Sequence, residues 1–187
     1  MNKRPITVAA GLLVTLSVLA LGYVSFGFWT MLVFASGFLG GFILWLVLPT
    51  RASFASIKAP YVLSLCLFLA HRVEEKMLDF FKRLADITGQ PTPAIISWSV
   101  ILLVVGSVGA WLLVPYFVKR GQQIGHYLAS TFFASLGITE LAHFIFPLFT
   151  EQPYGYFPGM ASAAVLAPAA WWGMFRLYKP NVSLTHS

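Results

Sequence analysis

Residues 69–76 read Leu-Ala-His-Arg-Val-Glu-Glu-Lys, and this stretch decides how the rest of the chain is interpreted. It places an imidazole and two carboxylates, those of His71, Glu74 and Glu75, at the end of a strongly apolar run. Side chains three and four residues apart are neighbours on a helix. A helix through this stretch therefore presents all three groups on one face, which predicts a functional site.

The composition is that of a membrane protein. Of the 187 residues, 58% are hydrophobic and only 10% are charged, whereas soluble domains carry about a quarter charged residues. A helix needs about 20 mainly apolar residues to cross a bilayer, so the chain has room for about six such helices. The sequence predicts an all-α polytopic membrane helical bundle that forms a single domain.

Six apolar segments are predicted to cross the membrane. Gly37 and Gly41 lie four residues apart in the second segment, a spacing that lets helices pack closely. Pro49 ends that segment, and glycine and proline residues within 88–93 mark a later break. The predicted spans are approximately residues 6–25, 29–48, 60–82, 94–118, 123–149 and 159–177.

The distribution of lysine and arginine predicts that both ends of the chain are cytoplasmic, because cytoplasmic loops are enriched in these residues. The basic residues placed inside are Lys3, Arg4, Arg51, Lys58, Lys119, Arg120, Arg176 and Lys179. Those left outside are Arg72, Lys76, Lys82 and Arg83. We interpret the net charge of +6 as membrane orientation, so no nucleic-acid partner is expected.

The rise per residue of a helix sets the depth of each polar residue in the membrane, and only residues at similar depth can come into contact. The third and fifth predicted spans both start at the inner face, and a rise of about 1.5 Å per residue carries their polar groups about 20 to 30 Å across. The group expected at one level is His71, Glu74, Glu75, Glu140 and His143. His126 lies about 25 Å from His143 along a straight helix. We expect His126 to lie near the inner face, outside this site, as a solvated or hydrogen-bonded histidine.

This pattern is typical of a metal site. Ionisable side chains at membrane depth are costly and normally have partners. Glu-x-x-His pairs build the di-iron sites of four-helix bundles, and sets of His and Glu hold catalytic zinc with an open position for water. The predicted ligands of a divalent metal, zinc or iron, are His71, Glu74, Glu75 and His143. The predicted catalytic carboxylates are Glu75 and Glu140.

The same residues fit three other interpretations. In a metal-free isomerase or cyclase of lipids, one buried carboxylic acid would donate a proton while its neighbour stays ionised. In a proton-linked carrier, Glu74 and Glu75 would titrate during transport, although the chain shows no repeats. In a scaffold, the groups would form an ion network at the outer surface. A hydrophobic cavity at the cluster would favour an enzyme, and a continuous polar path would favour transport.

Other conspicuous residues are assigned structural roles. We expect Ser97, Ser99 and Ser107 of the fourth span to bond their own backbone rather than act as nucleophiles. The aromatic loop of residues 154–159 either caps the site or forms a turn at the membrane surface. The single cysteine, Cys66, excludes an intrachain disulfide.

The motif His71-Arg72-Val73-Glu74-Glu75, a later apolar helix with His143 and the run Tyr156-Phe157-Pro158-Gly159-Met160 resemble the HXXEE-motif family of small bacterial integral membrane proteins, over about residues 58–180. The resemblance implies an enzymatic motif in a domain of the bacterial inner membrane. Glu140 and the first span lie outside the family pattern. A more distant architectural similarity is to EXPERA-type sterol isomerases, which are also small helical bundles with buried His and Glu.

The sequence therefore predicts an intramembrane enzyme acting on a lipid or isoprenoid-like substrate. Its expected chemistry is metal-dependent and either hydrolytic or oxidative. Its expected partners are membrane lipid and a lipophilic small molecule that reaches the site from the bilayer.

Overall fold

The computed structural model describes residues 3–92, 94 and 96–179, and within these residues the regular structure is entirely helical. The predicted all-α class is confirmed. The α-helices of the described chain are α1 (Pro5–Val47), α2 (Phe54–Met77), α3 (Phe80–Thr88), α4 (Trp98–Leu112), α5 (Val114–Lys119), α6 (Gln123–Gly137) and α7 (Met160–Tyr178). Two short 3-10 helices, Thr139–Phe144 and Phe146–Phe149, follow α6.

Helix α1 is a hairpin of two limbs that meet at Gly27. This residue has φ 80° and ψ −177°, a conformation that glycine reaches without the steric cost of a side chain. A methyl group placed on Gly11 would lie 3.3 Å from Cε2 of Phe42, although these residues would be about 45 Å apart in a straight helix. The limbs therefore pack side by side and correspond to the first two predicted spans.

Helix α2 begins before Pro60, the predicted start, because the Ser53 hydroxyl caps a backbone N–H of its first turn. The helix also ends before the predicted boundary at residue 82. Asp79 adopts a left-handed conformation with φ 54°, which aspartate tolerates better than most residues. The chain therefore turns at Asp79 and continues as the separate helix α3 rather than as one helix to residue 86.

The predicted fifth span, residues 123–149, is broken after Gly137. The indole N–H of Trp171 donates a hydrogen bond of 2.6 Å to the Gly137 carbonyl. In a continuing α-helix that carbonyl would accept from the N–H of Leu141, which instead bonds the carbonyl of Ile138 at 3.2 Å. A contact from α7 thus replaces the helical bond and diverts the chain into the 3-10 turns that carry Glu140 and His143.

Among the residues that the structure describes, three helical stretches are long and apolar enough to cross a membrane: α1, α2 and Trp98–Lys119, which joins α4 and α5. They indicate a membrane protein. Helix α6 lies at the centre of the fold, since its residues from Gly125 to Gly137 are buried. A methyl group on Gly41 would lie 2.7 Å from Cα of Thr131 in α6. The small residues of the second limb of α1 therefore let the two helix backbones approach closely.

The close approach of α1 to α6 leads us to expect opposite effects of alanine substitution at the adjacent residues Gly40 and Gly41. We expect Gly41→Ala to lower the free energy of unfolding by about 1 to 3 kcal/mol, because its methyl group would collide with the α6 backbone. We expect Gly40→Ala to be neutral or stabilising by up to about 1 kcal/mol, because nothing lies within 4 Å of its added methyl. Thermal unfolding in detergent measures both, and equal effects would contradict the close approach.

Candidate metal centre

Four ionisable side chains from two segments converge in the interior. His71 and Glu75 come from α2, and Glu140 and His143 come from the first 3-10 helix. His71, Glu75 and His143 are buried, and Glu140 is 13% exposed. Each offers one atom suited to binding a metal, and these atoms lie within 4.8 Å of one another. The four residues, which we name the His/Glu centre, can hold a metal ion.

Local helix geometry explains why each pair points the same way. His71 and Glu75 are four residues apart on α2, so they lie one above the other on the same face. Glu140 and His143 are three residues apart on a 3-10 helix, in which such side chains eclipse each other. The break after Gly137 is therefore what aligns the second pair.

The histidine-to-carboxylate distances within the His/Glu centre are those expected of neighbouring ligands of one metal ion. Nε2 of His71 lies 3.1 Å from Oε2 of Glu140 and 3.4 Å from Oε1 of Glu75. Nε2 of His143 lies 3.2 Å and 3.4 Å from the same two oxygens. Neighbouring ligand atoms that each lie about 2.0 to 2.1 Å from an ion are about 2.9 to 3.4 Å apart. All four distances fall in that range.

The other nitrogen of each histidine is engaged outside the centre. Nδ1 of His143 lies 2.5 Å from the Pro158 carbonyl oxygen, which can only accept, so Nδ1 carries a proton. Nδ1 of His71 lies 2.8 Å from the Ser162 hydroxyl, which itself donates to the Gly159 carbonyl at 3.3 Å. Both neutral imidazoles therefore direct an Nε2 lone pair into the centre, as metal-binding histidines do.

A bound cation would compensate the two carboxylates and accept the nitrogen lone pairs that point into the His/Glu centre. Nε2 of His71 is buried and makes no hydrogen bond of suitable geometry with the described protein. Protonating both histidines would instead place two positive rings with centroids 4.8 Å apart, and like charges at that distance disfavour one another. The donor set of two imidazoles and two carboxylates also suits zinc or iron chemically.

The centre is shielded by an arginine and by aromatic rings. Arg72 forms an ion pair with Oε2 of Glu75, the oxygen that faces away from the histidines. The rings of Phe80, Phe146 and Phe157 have centroids 4.9, 5.8 and 6.4 Å from that of His143. These three residues come from different segments, so no single segment of the sequence shows that their rings meet around His143.

A cavity of about 120 Å³ lies against the centre. We name it the site cavity. Glu75, Glu140 and His143 form its polar end, and most of its remaining lining is apolar. Its apolar and aromatic lining residues are Phe26, Val33, Phe34, Phe38, Phe68, Phe80, Phe81, Leu84, Leu103, Val104, Val108, Trp111, Ala142 and Phe146.

Glu74, predicted as a ligand, lies outside the His/Glu centre. Adjacent helix positions differ by about 100° in direction, so Glu74 and Glu75 point different ways. Its carboxylate accepts hydrogen bonds from the backbone N–H groups of Gly159, Ala161 and Ser162 at 3.1, 3.3 and 2.8 Å. These groups form the N-terminus of α7, where a carboxylate is favoured by free donors and by the helix dipole. Glu74 thus caps α7 from another helix.

The loop of residues 154–159 packs directly on the centre. The Tyr156 hydroxyl donates a hydrogen bond to the Glu74 carboxylate. Partial burial and this carboxylate raise the pKa of Tyr156, so the hydroxyl keeps its proton. Gly159 has φ 94°, and a methyl group on it would lie 2.5 Å from His143 and 2.9 Å from His71. Of the two roles considered for this loop, the structure supports the cap.

Two other predictions concern residues away from the centre. His126 is buried, and its Nε2 lies 3.0 Å from the Ala52 carbonyl oxygen, so it is a separate hydrogen-bonded histidine as expected. The expectation for Ser107 is wrong, because its buried hydroxyl makes no hydrogen bond with the described protein, its own backbone included. Ser107 instead lines the site cavity.

No protein-family model, curated protein or solved structure matches this chain. The resemblance to the HXXEE-motif family stays a prediction, and the geometry of the His/Glu centre carries the functional interpretation.

Substitution of Glu74 tests whether this residue caps α7 or binds a metal. Glu74→Ala leaves backbone donors of α7 without their acceptor, so we expect the free energy of unfolding to fall by about 0.5 to 2 kcal/mol. Metal content should stay near that of the unmodified protein, whereas Glu75→Ala should remove the metal. Unfolding and elemental analysis of both variants measure this difference. Loss of metal from the Glu74 variant at unchanged stability would show that Glu74 is a ligand.

Gly159 provides a test of the cap. Gly159→Ala introduces both an unfavourable positive φ and a collision with the two imidazoles, so we expect weaker metal binding and a loss of about 1 to 3 kcal/mol in stability. Gly155→Ala in the same loop is the matched control, because its methyl would meet only the Pro153 oxygen at an ordinary 3.6 Å. Metal titration of both variants decides the point, and similar affinities would contradict the described packing.

Proposed function

We propose that this protein is an integral membrane enzyme that uses a divalent metal to act on a lipid or isoprenoid-like substrate. The observation that carries the proposal is the convergence of two histidine Nε2 atoms and two carboxylates at metal-ligand spacing. His71, Glu75 and His143 would hold the ion, and Glu140, the fourth member of the His/Glu centre, would lie beside its open position. The donor set suits zinc, with ferrous iron as the alternative.

The two carboxylates have different surroundings and would have different roles. Oε2 of Glu75 is occupied by Arg72, so this residue serves as a fixed ligand. Glu140 is the most exposed of the four and borders the site cavity, so its carboxylate is placed to accept a proton from water. A divalent ion held by His71, Glu75 and His143 would keep a position open for that water, activate it, and polarise a carbonyl group of the substrate. We therefore favour hydrolysis over oxidation.

Charge balance supports the same chemistry. Two carboxylates, one divalent ion and the Arg72 guanidinium sum to a single positive charge. In a site of low dielectric, that charge favours hydroxide or the oxyanion that develops during hydrolysis. Arg72 is held close to the centre by its ion pair with Glu75, so its field acts there without direct coordination.

The surroundings of the site favour a lipophilic substrate. The site cavity is lined mainly by apolar and aromatic side chains rather than by a continuous polar path, which favours an enzyme over a transporter. We place the protein in the bacterial inner membrane, with six membrane segments and both ends in the cytoplasm. The hairpin of α1, which supplies two antiparallel limbs, supports this count.

A metal-free isomerase is the second candidate. Nε2 of His143 lies within hydrogen-bonding distance of Glu140, at 3.2 Å, so a protonated imidazole can also occupy the site. Two protons on the histidines carry the same charge as one divalent ion. Only a direct measurement of metal distinguishes the two states.

Elemental analysis of the detergent-purified protein provides that measurement. We expect about one zinc or iron ion per chain in the unmodified protein, and loss of the ion in His71→Asn and His143→Asn. His126→Asn is the matched control, since His126 bonds a backbone carbonyl outside the centre and should keep the metal. Metal restored at about a thousand times its Kd should stabilise the stripped protein by about 4 kcal/mol.

The contrary outcome is equally specific. Metal-free protein whose unfolding temperature is the same with and without added zinc or iron would eliminate the metal enzyme and leave the metal-free isomerase. Equal metal content in the His143 and His126 variants would show that the ion binds elsewhere.

A further inference from the structure

A second cavity, of about 320 Å³, adjoins the site cavity. We name it the distal cavity. It lies between the first limb of α1, α4 and α6, and its lining is mainly apolar. Phe38, Ser107 and Trp111 line both cavities. The remaining lining residues of the distal cavity are Leu13, Val14, Ser17, Val18, Leu21, Leu102, Gly106, Ala110, Leu128 and Thr131.

The boundary between the two cavities consists of side chains. The rings of Phe38 and Trp111 stack with centroids 5.5 Å apart and planes at 15°. Trp111 is fixed, because its indole N–H donates to Thr131 at 3.3 Å and its carbonyl accepts from Tyr61 at 3.0 Å. Phe38 has an apolar side chain with no such hydrogen bond, so packing alone holds its ring between the two cavities.

Unpartnered hydroxyl groups line the site cavity. Thr30, Ser107 and Ser135 each have a buried hydroxyl that makes no hydrogen bond with the described protein. The residues Thr30 and Ser135 are only 5% and 4% exposed. Buried hydroxyls are usually satisfied, in helices often by the preceding turn. These three are therefore available to a ligand that carries oxygen.

The sizes of the cavities separate a small polar end from a long apolar end. The site cavity, about 120 Å³, is comparable to an engineered cavity of about 150 Å³ that binds benzene. That volume suits a compact group next to the His/Glu centre better than a phospholipid headgroup. The distal cavity is more than twice as large and offers apolar walls suited to a hydrocarbon chain.

We infer that the substrate is a single-chain lipid whose small oxygen-bearing end lies in the site cavity and whose hydrocarbon chain lies in the distal cavity. This inference rests on the proposed function and narrows its substrate class. The hydroxyls of Thr30, Ser107 and Ser135, spread along the lining, are available to oxygen atoms of the polar end, and the His/Glu centre faces the bond that reacts.

Two glycines of α4 allow a matched test. A methyl group on Gly106 or on Gly109 would meet no atom within 4 Å, so the first carbon of a larger side chain is accommodated equally at both positions. Gly106 lines the distal cavity, whereas Gly109 lines neither cavity. Gly106→Phe therefore fills the proposed chain site, and Gly109→Phe places the same ring elsewhere on the same helix. Ala110→Phe, which also enters the distal cavity, is a second blocking variant.

The probe is palmityl alcohol with a diazirine near its methyl end, photolysed with the protein in phosphatidylcholine nanodiscs. Mass spectrometry should locate the label in residues 13–21 or 102–111. We expect Gly106→Phe and Ala110→Phe to reduce labelling by about tenfold, or about 1.4 kcal/mol of binding free energy. Gly109→Phe should label like the unmodified protein. Excess palmityl alcohol should compete, and excess lysophosphatidylcholine, with the same chain and a larger headgroup, should not.

Three results would overturn the inference. Label on other surfaces would show that the chain lies outside the distal cavity, and equal labelling of the Gly106 and Gly109 variants would show that filling this cavity has no effect. Equal competition by both lipids would show that the polar end is not restricted in size. Metal content measured on the same samples tests the proposed function separately, because a metal-loaded protein without distal labelling disproves only this inference.

Discussion

The structure depends on how two imidazoles and two carboxylates are kept together in an apolar interior. Burying such groups is costly unless each is paired or binds a metal. Here each histidine has one nitrogen hydrogen-bonded outside the centre and the other directed at Glu75 and Glu140. The surrounding elements can be understood as the means of holding this arrangement.

Helix α7 contributes to that arrangement without supplying a ligand. Its N-terminus is capped by Glu74 of α2, and Ser162 in its first turn bonds Nδ1 of His71. The residues just before it cover His143 through the carbonyl of Pro158. Glu74 thus positions the helix that orients His71, while its neighbour Glu75 faces the His/Glu centre. The pair Glu74-Glu75 therefore has one structural member and one member of the centre.

Much of the His/Glu centre could be predicted from the sequence, because each of its two residue pairs is close together in the chain. The spacing of His71 with Glu75 and of Glu140 with His143, combined with helix rise, was enough to bring the two pairs to one level. Helix periodicity alone could not decide whether Glu74 or Glu75 faces the centre, since that depends on which way α2 is rotated against α7. The break after Gly137 depends on Trp171, which is distant in sequence. The cavities likewise depend on the packing of several helices and have no signature in any one segment.

The chain order of the contributing segments has a consequence for biosynthesis. His71 and Glu75 are translated well before Glu140 and His143, and the hydrogen-bond acceptors Pro158 and Ser162 come later still. During translation, neither histidine has its outer partner until the start of the last helix has left the ribosome. A nascent chain that stops before residue 158 would therefore carry all four side chains of the His/Glu centre without the outer hydrogen-bond partner of either histidine.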